Sequence, residues 1–212
     1  MEFIKIYFFC FITSLSIFSY GYSLNKILFK FEIKNIIEFF LLGFIFISFI
    51  ALFLIFFISL NIYINTFIFI ISFFLLFLFK DSLNFIDIIK KISLISLIGF
   101  ITFLLDHSNR PDAGLYHLPY ISMLNEEKII FGSVNLHSRF GHVSSLQYLY
   151  SIFNNYILGD NGILIPLTII FSVILMYFYE ELKLQSENIL KLFSMFSLLF
   201  ILTTMNRYSV FG

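Results

Sequence analysis

The sequence predicts an all-α fold: a polytopic membrane helix bundle of about six transmembrane helices, with an outward loop containing short interfacial helices. Three observations carry this expectation. The 212 residues are 60% hydrophobic and only 12% charged, with a mean hydropathy of +0.98, whereas soluble domains carry about 25% charged residues. Apolar runs recur along the chain, each near the roughly 20 residues a helix needs to cross about 30 Å of hydrocarbon. Polar side chains, by contrast, gather in one stretch, 106–160. The chain 1–212 is therefore read as one membrane domain. Four spans occupy 1–105, the outer loop 106–160, and two further spans 161–212.

The predicted spans are about 6–24, 36–60, 62–79, 86–105, 163–179 and 189–205. Helices suit them because a helix satisfies its own backbone hydrogen bonds in lipid. The first run contains one lysine, Lys5, and no small-x-small cleavage site, so it reads as an uncleaved span rather than a signal peptide. Only the uncharged stretch Asn61-Ile62-Tyr63-Ile64-Asn65 separates the second span from the third, and Asp87, Lys90 and Lys91 clip the start of the fourth. Ser144 to Leu158, with Gln147, Asn154 and Asn155, is too short and polar to cross, and an interfacial helix suits it better. A second short helix is expected over 116–125, after a Pro-Asp-Ala-Gly turn.

Orientation follows from the lysines. Lys26, Lys30, Lys34, Lys80, Lys90, Lys91, Lys183 and Lys191 fall on one side, read as cytoplasmic, and Lys5, Arg110, Lys128, Arg139 and Arg207 on the other. The loop 106–160 is thus expected on the periplasmic face of an inner (plasma) membrane.

Composition also excludes functions. A formal net charge of zero offers no basic face to nucleic acid. No Gly-rich phosphate loop, cysteine pair or Gly-x-Ser-x-Gly elbow is present, so nucleotide-driven chemistry is disfavoured. An outward site has no nucleotide sugar within reach either, and any group donor there must be lipid-linked. The single Cys10 lies inside an apolar run and reads as inert. The 33 phenylalanines accompany abundant Ile, Asn, Lys and Tyr, all with AT-rich codons, and are read as nucleotide bias.

The loop holds the chemistry. Asp106 directly follows the fourth span, where hydrocarbon gives way to water, and a carboxylate there can serve as general base. Asp112 fits either that role or a turn-forming one. Arg110 and Arg139 stand out in a chain whose default cation is lysine, since guanidinium forks grip phosphate bidentately. With Lys128 they suit an anionic lipid head group, or anchorage to anionic lipids. His107, His117, His137 and His142 are spaced by ten, twenty and five, which matches no zinc signature. A divalent cation held by an aspartate and one histidine remains open, and no further cofactor is indicated. Tyr116-His117 is the pair expected to be positioned for function, with the other histidines secondary.

Asp106, Asp112 and the run Tyr116-His117-Leu118-Pro119, followed by a turn at Gly132, resemble the first outer loop of GT-C membrane glycosyltransferases. Further on, Asn135-Leu136-His137-Ser138-Arg139-Phe140-Gly141-His142 is similar to a group of bacterial multi-span proteins of that type. The resemblance covers roughly 100–160. It implies transfer of a sugar from a polyprenyl-phosphate donor to an envelope acceptor on the outer face. Asp106 or Asp112 would act as catalytic base or metal ligand, and Arg110, Lys128 and Arg139 would meet the lipid phosphate. Tyr116, His117 and His142 would shape the substrate environment. In place of the family's adjacent acidic pair stands Asp106-His107, with Asp112 six positions on, so either aspartate can be the base. The final Asn206-Arg207-Tyr208-Ser209-Val210-Phe211-Gly212 emerges without a tail, and the sequence is read as the N-terminal part of a longer protein.

Two other classes compete. An envelope-polysaccharide polymerase or ligase would also use outer-loop Arg and His but needs a second large outer loop. A transporter, or another non-catalytic membrane protein, would place ionisable residues within its spans, and these spans contain almost none.

Overall fold

The computed structural model describes residues 2–30, 35–79, 85–105, 113–141 and 144–205. Eight α-helices form among them and no strand: α1 (Glu2–Leu24), α2 (Glu38–Ile55), α3 (Ile62–Phe79), α4 (Phe85–Leu105), α5 (Leu118–Glu126), α6 (Ser145–Phe153), α7 (Asn161–Leu184) and α8 (Asn188–Met205). Four stretches are long and apolar enough to cross a membrane, Glu2–Phe29, Glu38–Ile55, Ile86–Leu105 and Asn161–Leu184. The cores of α3 and α8 are apolar but shorter, at Ile62–Leu78 and Asn188–Thr203.

Helix α1 is the centre of the bundle and packs against α2, α3, α4 and α7. Its buried side is rich in small and polar residues, including Thr13, Ser14, Ser16, Ser19, Gly21 and Ser23. These let neighbouring backbones approach closely. The Tyr20 hydroxyl donates to Ile68 O at 2.6 Å, Ser19 Oγ donates to Ser72 O, and Ser96 Oγ donates to Ser14 Oγ at 3.2 Å. The periphery is the reverse: Ile45, Phe49 and Phe53 of α2, Phe67 and Phe74 of α3, and Phe193, Phe196 and Phe200 of α8 are all exposed. Small polar residues at the crossings of α1, with many large apolar ones left at the periphery, are what helix packing in lipid favours, because lipid does not drive every large side chain into the core.

A very close crossing joins α1 to α2. A Cβ on Gly21 would fall inside the Phe39 carbonyl oxygen and lie 2.7 Å from Gly43 N, and one on Gly43 would meet the Ile17 carbonyl. Rings of Phe18, Tyr22, Phe39 and Phe40 pack around this glycine contact.

The bundle has two chemically distinct ends. At one, Lys91 of α4 pairs with Glu180 of α7 at 3.3 Å, and Asn35 Nδ2 donates to Glu181 Oε1 at 3.5 Å. These partners lie along the last turns of α7, which continues to Leu184 rather than stopping near residue 179. The α2–α3 turn, α5, the end of α6 and the start of α7 meet at the other end.

Helix α2 ends at Ile55, short of residue 60, and the chain turns back through Phe56–Leu60. Asn61 starts α3 by accepting from the backbone of Tyr63 and Ile64 at 3.1 Å each, as capping side chains do. Helix α6, read from the sequence as interfacial, packs most of its length into the bundle. It is wedged against α2, α3, α5 and α7, with Gln147, Tyr148, Leu149, Ser151, Ile152 and Phe153 buried. Gly162 permits the tight elbow into α7, where a Cβ would collide with the Phe153 carbonyl.

Candidate functional site

A polar clasp builds the floor of the site. Buried helix-end carbonyls need partners when water is absent, and asparagine amides supply them. Asn65 Nδ2 donates to Leu60 O (2.6 Å), Ser151 O (2.8 Å) and Asn154 O (2.9 Å). Asn125 Nδ2 donates to Leu60 O at 2.6 Å and to Ser151 Oγ at 2.7 Å, while Asn154 Nδ2 donates to Asn125 Oδ1 at 3.1 Å. Three side chains from α3, α5 and the end of α6 thus lock the α2–α3 turn, α5 and α6 together.

Above the clasp the chain enters α5 through a π-helical turn, Ala113–His117, with Pro119 near the helix start, where a missing N–H costs nothing. Opposite it, Ser144 caps α6 with its side-chain oxygen toward Leu146 N, and Ser144 N donates to Gln147 Oε1 at 3.2 Å. That bond orients the Gln147 amide, so its nitrogen faces His117 Nδ1 at 3.3 Å.

Aromatic rings extend from this histidine. Tyr116 lies 4.3 Å from the His117 ring and stacks on His137 at 6.1 Å with an interplanar angle of 18°. His137 meets Phe140 at 5.4 Å, and Phe140 meets Tyr120 at 5.4 Å. The Tyr120 and Tyr148 hydroxyls are 3.4 Å apart. Behind these two tyrosines lies a cavity of about 170 Å³, lined by Tyr120, Leu124, Lys128, Phe131, Ser133 and Tyr148 among others.

Burial pushes the phenol of Tyr120 up, helped by its hydrogen bond to Tyr148, and burial pushes Tyr150 up as well. An acid whose folded pKa is raised leaves stability untouched below the unfolded value and erodes it above that value. Unfolding is therefore expected to become easier as the pH rises past about 10, the ordinary phenol value. Alkaline titration should show a late tyrosinate step coinciding with loss of helix by circular dichroism. Ionisation of every tyrosine before unfolding would contradict this.

Of the residues singled out from the sequence, the chain neighbours Tyr116 and His117 have their rings 4.3 Å apart, and Lys128 lines the cavity behind Tyr120 and Tyr148. His137, read as secondary, stacks on Tyr116 instead. Asp106, Arg110, Asp112 and His142 lie outside the described residues, as does the side chain of Arg139, whose backbone forms part of the 3-10 turn Ser138–Gly141. Among the described residues no group of three or more His, Cys, Asp or Glu is placed to hold a metal. Tyr120, Tyr148 and Asn125 were not singled out in the sequence, and Gln147, Asn65 and Asn154 were named only as marks of polar stretches. The Ser144-x-x-Gln147 spacing is a capping-box signal and was available, whereas nothing local marks Asn65 or Asn125.

An all-α bundle of apolar helices, carrying an aromatic and histidine cluster beside a small cavity at one end, is the class these features define. The chain belongs to the DUF8201 family, a domain of unknown function, whose model matches residues 3–210. No curated protein and no solved structure matches the chain.

Proposed function

We propose that this protein is a six-span membrane glycosyltransferase of GT-C type. It would pass a sugar from a polyprenyl-phosphate donor to an envelope acceptor, with 106–160 on the outer, periplasmic face of the inner membrane. The cluster of Tyr116, His117 and His137, linked through Phe140 and Tyr120 to the Lys128-lined cavity at the bundle end opposite the Lys91–Glu180 pair, is the observation that supports it. Aromatic faces carry partial negative charge and suit the weakly positive C–H faces of a sugar ring. The Lys128 ammonium suits a phosphate.

Asp106 or Asp112 would take the proton from the acceptor hydroxyl, whose oxygen then attacks the anomeric carbon. The bond to the donor phosphate breaks, and the polyprenyl phosphate leaves with the electron pair. Arg110 and Arg139 would stabilise the charge it carries away, and His142 would border the substrate.

The test is genetic and chemical. Asp106→Asn and Asp112→Asn are expressed in place of the native protein, and the envelope glycan is analysed. Loss of one sugar at unchanged protein level is expected for the aspartate that serves as base, with about 100-fold or greater loss of transfer, as for removal of a general base. An unchanged glycan in both variants would refute the proposal.

A further inference from the structure

The segment following α5 presents apolar side chains where a water-facing loop would carry polar ones. Phe131 is 85% exposed, Leu136 70% and Val134 50%. Gly132, at φ 80°, turns the chain between Phe131 and the 3-10 turn Ser133–Asn135, and Lys128 is exposed at the start of the segment.

This loop is tied to the end of α2. Ile129 N donates to Ile55 O at 2.9 Å, and Leu60 N donates to Leu124 O at 2.9 Å. Around Ile55, Phe53, Phe56, Phe57 and Ile58 are exposed as well. Two hydrogen-bonded stretches of backbone therefore carry exposed apolar groups side by side. Their surface continues onto the outer face of α2 through Phe53, Leu52, Phe49 and Ile45.

Depth follows from length. The 18 residues of α2 rise about 27 Å, close to the roughly 30 Å of hydrocarbon in a bilayer. With Glu38 at one boundary, Ile55 lies at the other, and Ile129 is held at the same level.

We propose that loop 128–137 is seated in the interfacial layer of the membrane. Phe131, Val134 and Leu136 enter the boundary between head groups and acyl chains, and Lys128 lies among anionic lipid phosphates. The proposal rests on the reading of α2 as a membrane span. One wall of the 170 Å³ cavity, at Lys128 and Phe131, would then border lipid rather than bulk water.

The chain contains no tryptophan, so one introduced Trp is a unique reporter. Phe131→Trp is reconstituted in vesicles of phosphatidylethanolamine and phosphatidylglycerol whose acyl chains carry bromines at a shallow or a deep position. Roughly half of the emission should be lost to bromines about 5–10 Å below the head groups, the depth of interfacial helices, with weaker loss to deep bromines and little to aqueous iodide. Leu136→Trp should behave alike and serves if Phe131→Trp fails to fold.

Phe49→Trp, on the exposed face of α2, tests the underlying reading and should be quenched by the deep bromines. Quenching of Phe49→Trp by lipid, with both loop reporters quenched by iodide instead, would overturn the inference alone. Loop reporters shielded from iodide and bromine alike would overturn it in favour of a protein partner or second copy. No lipid quenching of Phe49→Trp would overturn both readings.

Discussion

Gly21→Ala is expected to force α1 and α2 apart and lower the stability of the whole bundle. In an isolated helix this substitution would gain about 1 kcal/mol, so a net loss has to come from packing. The added methyl meets the Phe39 carbonyl and Gly43 N, which are backbone atoms and cannot rotate away. Overpacking typically costs about 1–3 kcal/mol, and a backbone clash in the central crossing belongs at the upper end or beyond. Cys10 offers the readout, being the single cysteine and fully buried in α1. A thiol-reactive dye in detergent should label it at a clearly lower temperature in Gly21→Ala than in the parent protein. Gly43→Ala should behave alike, because its methyl meets the Ile17 carbonyl across the same crossing. The double variant should lose less than the sum, since both changes widen one contact. An unchanged labelling midpoint for Gly21→Ala would refute this account of the packing.

The second large effect is expected at Asn65. Its amide serves three carbonyl oxygens, from the α2–α3 turn and the end of α6. Asn65→Ala should cost about 1–3 kcal/mol, the usual cost of leaving a buried polar group unpaired. Asn125 still serves Leu60 O and Ser151, and so limits the damage. Removing both asparagines should therefore cost more than the two single losses added together.

Asn65→Asp keeps the shape but turns an acceptor toward three acceptors. A carboxylate cannot donate to those carbonyls and is left buried without a partner. The variant is expected to be more strongly destabilised than Asn65→Ala. Thermal melts of the two variants provide the check, and an Asn65→Asp protein as stable as the parent would contradict the clasp. Loosening α6 should also release Gln147 from His117, measurable as faster amide exchange over 113–126.

Much of the architecture could be read directly from residue order. The expected apolar runs and the observed helices coincide closely at 62–79 and at 85–105, because a largely apolar stretch of that length has few other ways to satisfy its backbone. Ends were less predictable where a tertiary partner sets them. Helix α2 stops at Ile55 although Phe56, Phe57 and Ile58 are as apolar as what precedes them, since the chain must turn to meet α5. Helix α7 runs on through Glu180 and Glu181 because Lys91 and Asn35 are there to receive them.

The site divides in the same way. Tyr116-His117 stood out because so few polar residues exist in the chain, and in the fold His117 faces Gln147. The partner itself, Gln147, lies thirty residues away on a helix whose burial no local pattern announced. Asn65 looked like part of a polar turn between two spans. In the folded chain it sits within α3 and reaches elements some ninety positions distant.

Residue order alone therefore determined the class of the molecule: apolar helices, with one polar stretch in which chemistry can reside. That follows from short-range physics, because helix formation and transfer into an apolar medium depend on the residues of each segment. Tertiary structure alone decided which helices touch, that α6 is wedged inside, and that Tyr116, His117, His137 and the Tyr120–Tyr148 pair form one cluster. Those outcomes depend on glycine contacts, capping bonds and asparagine clasps between distant segments. Such pairings become visible only when the partners are in place.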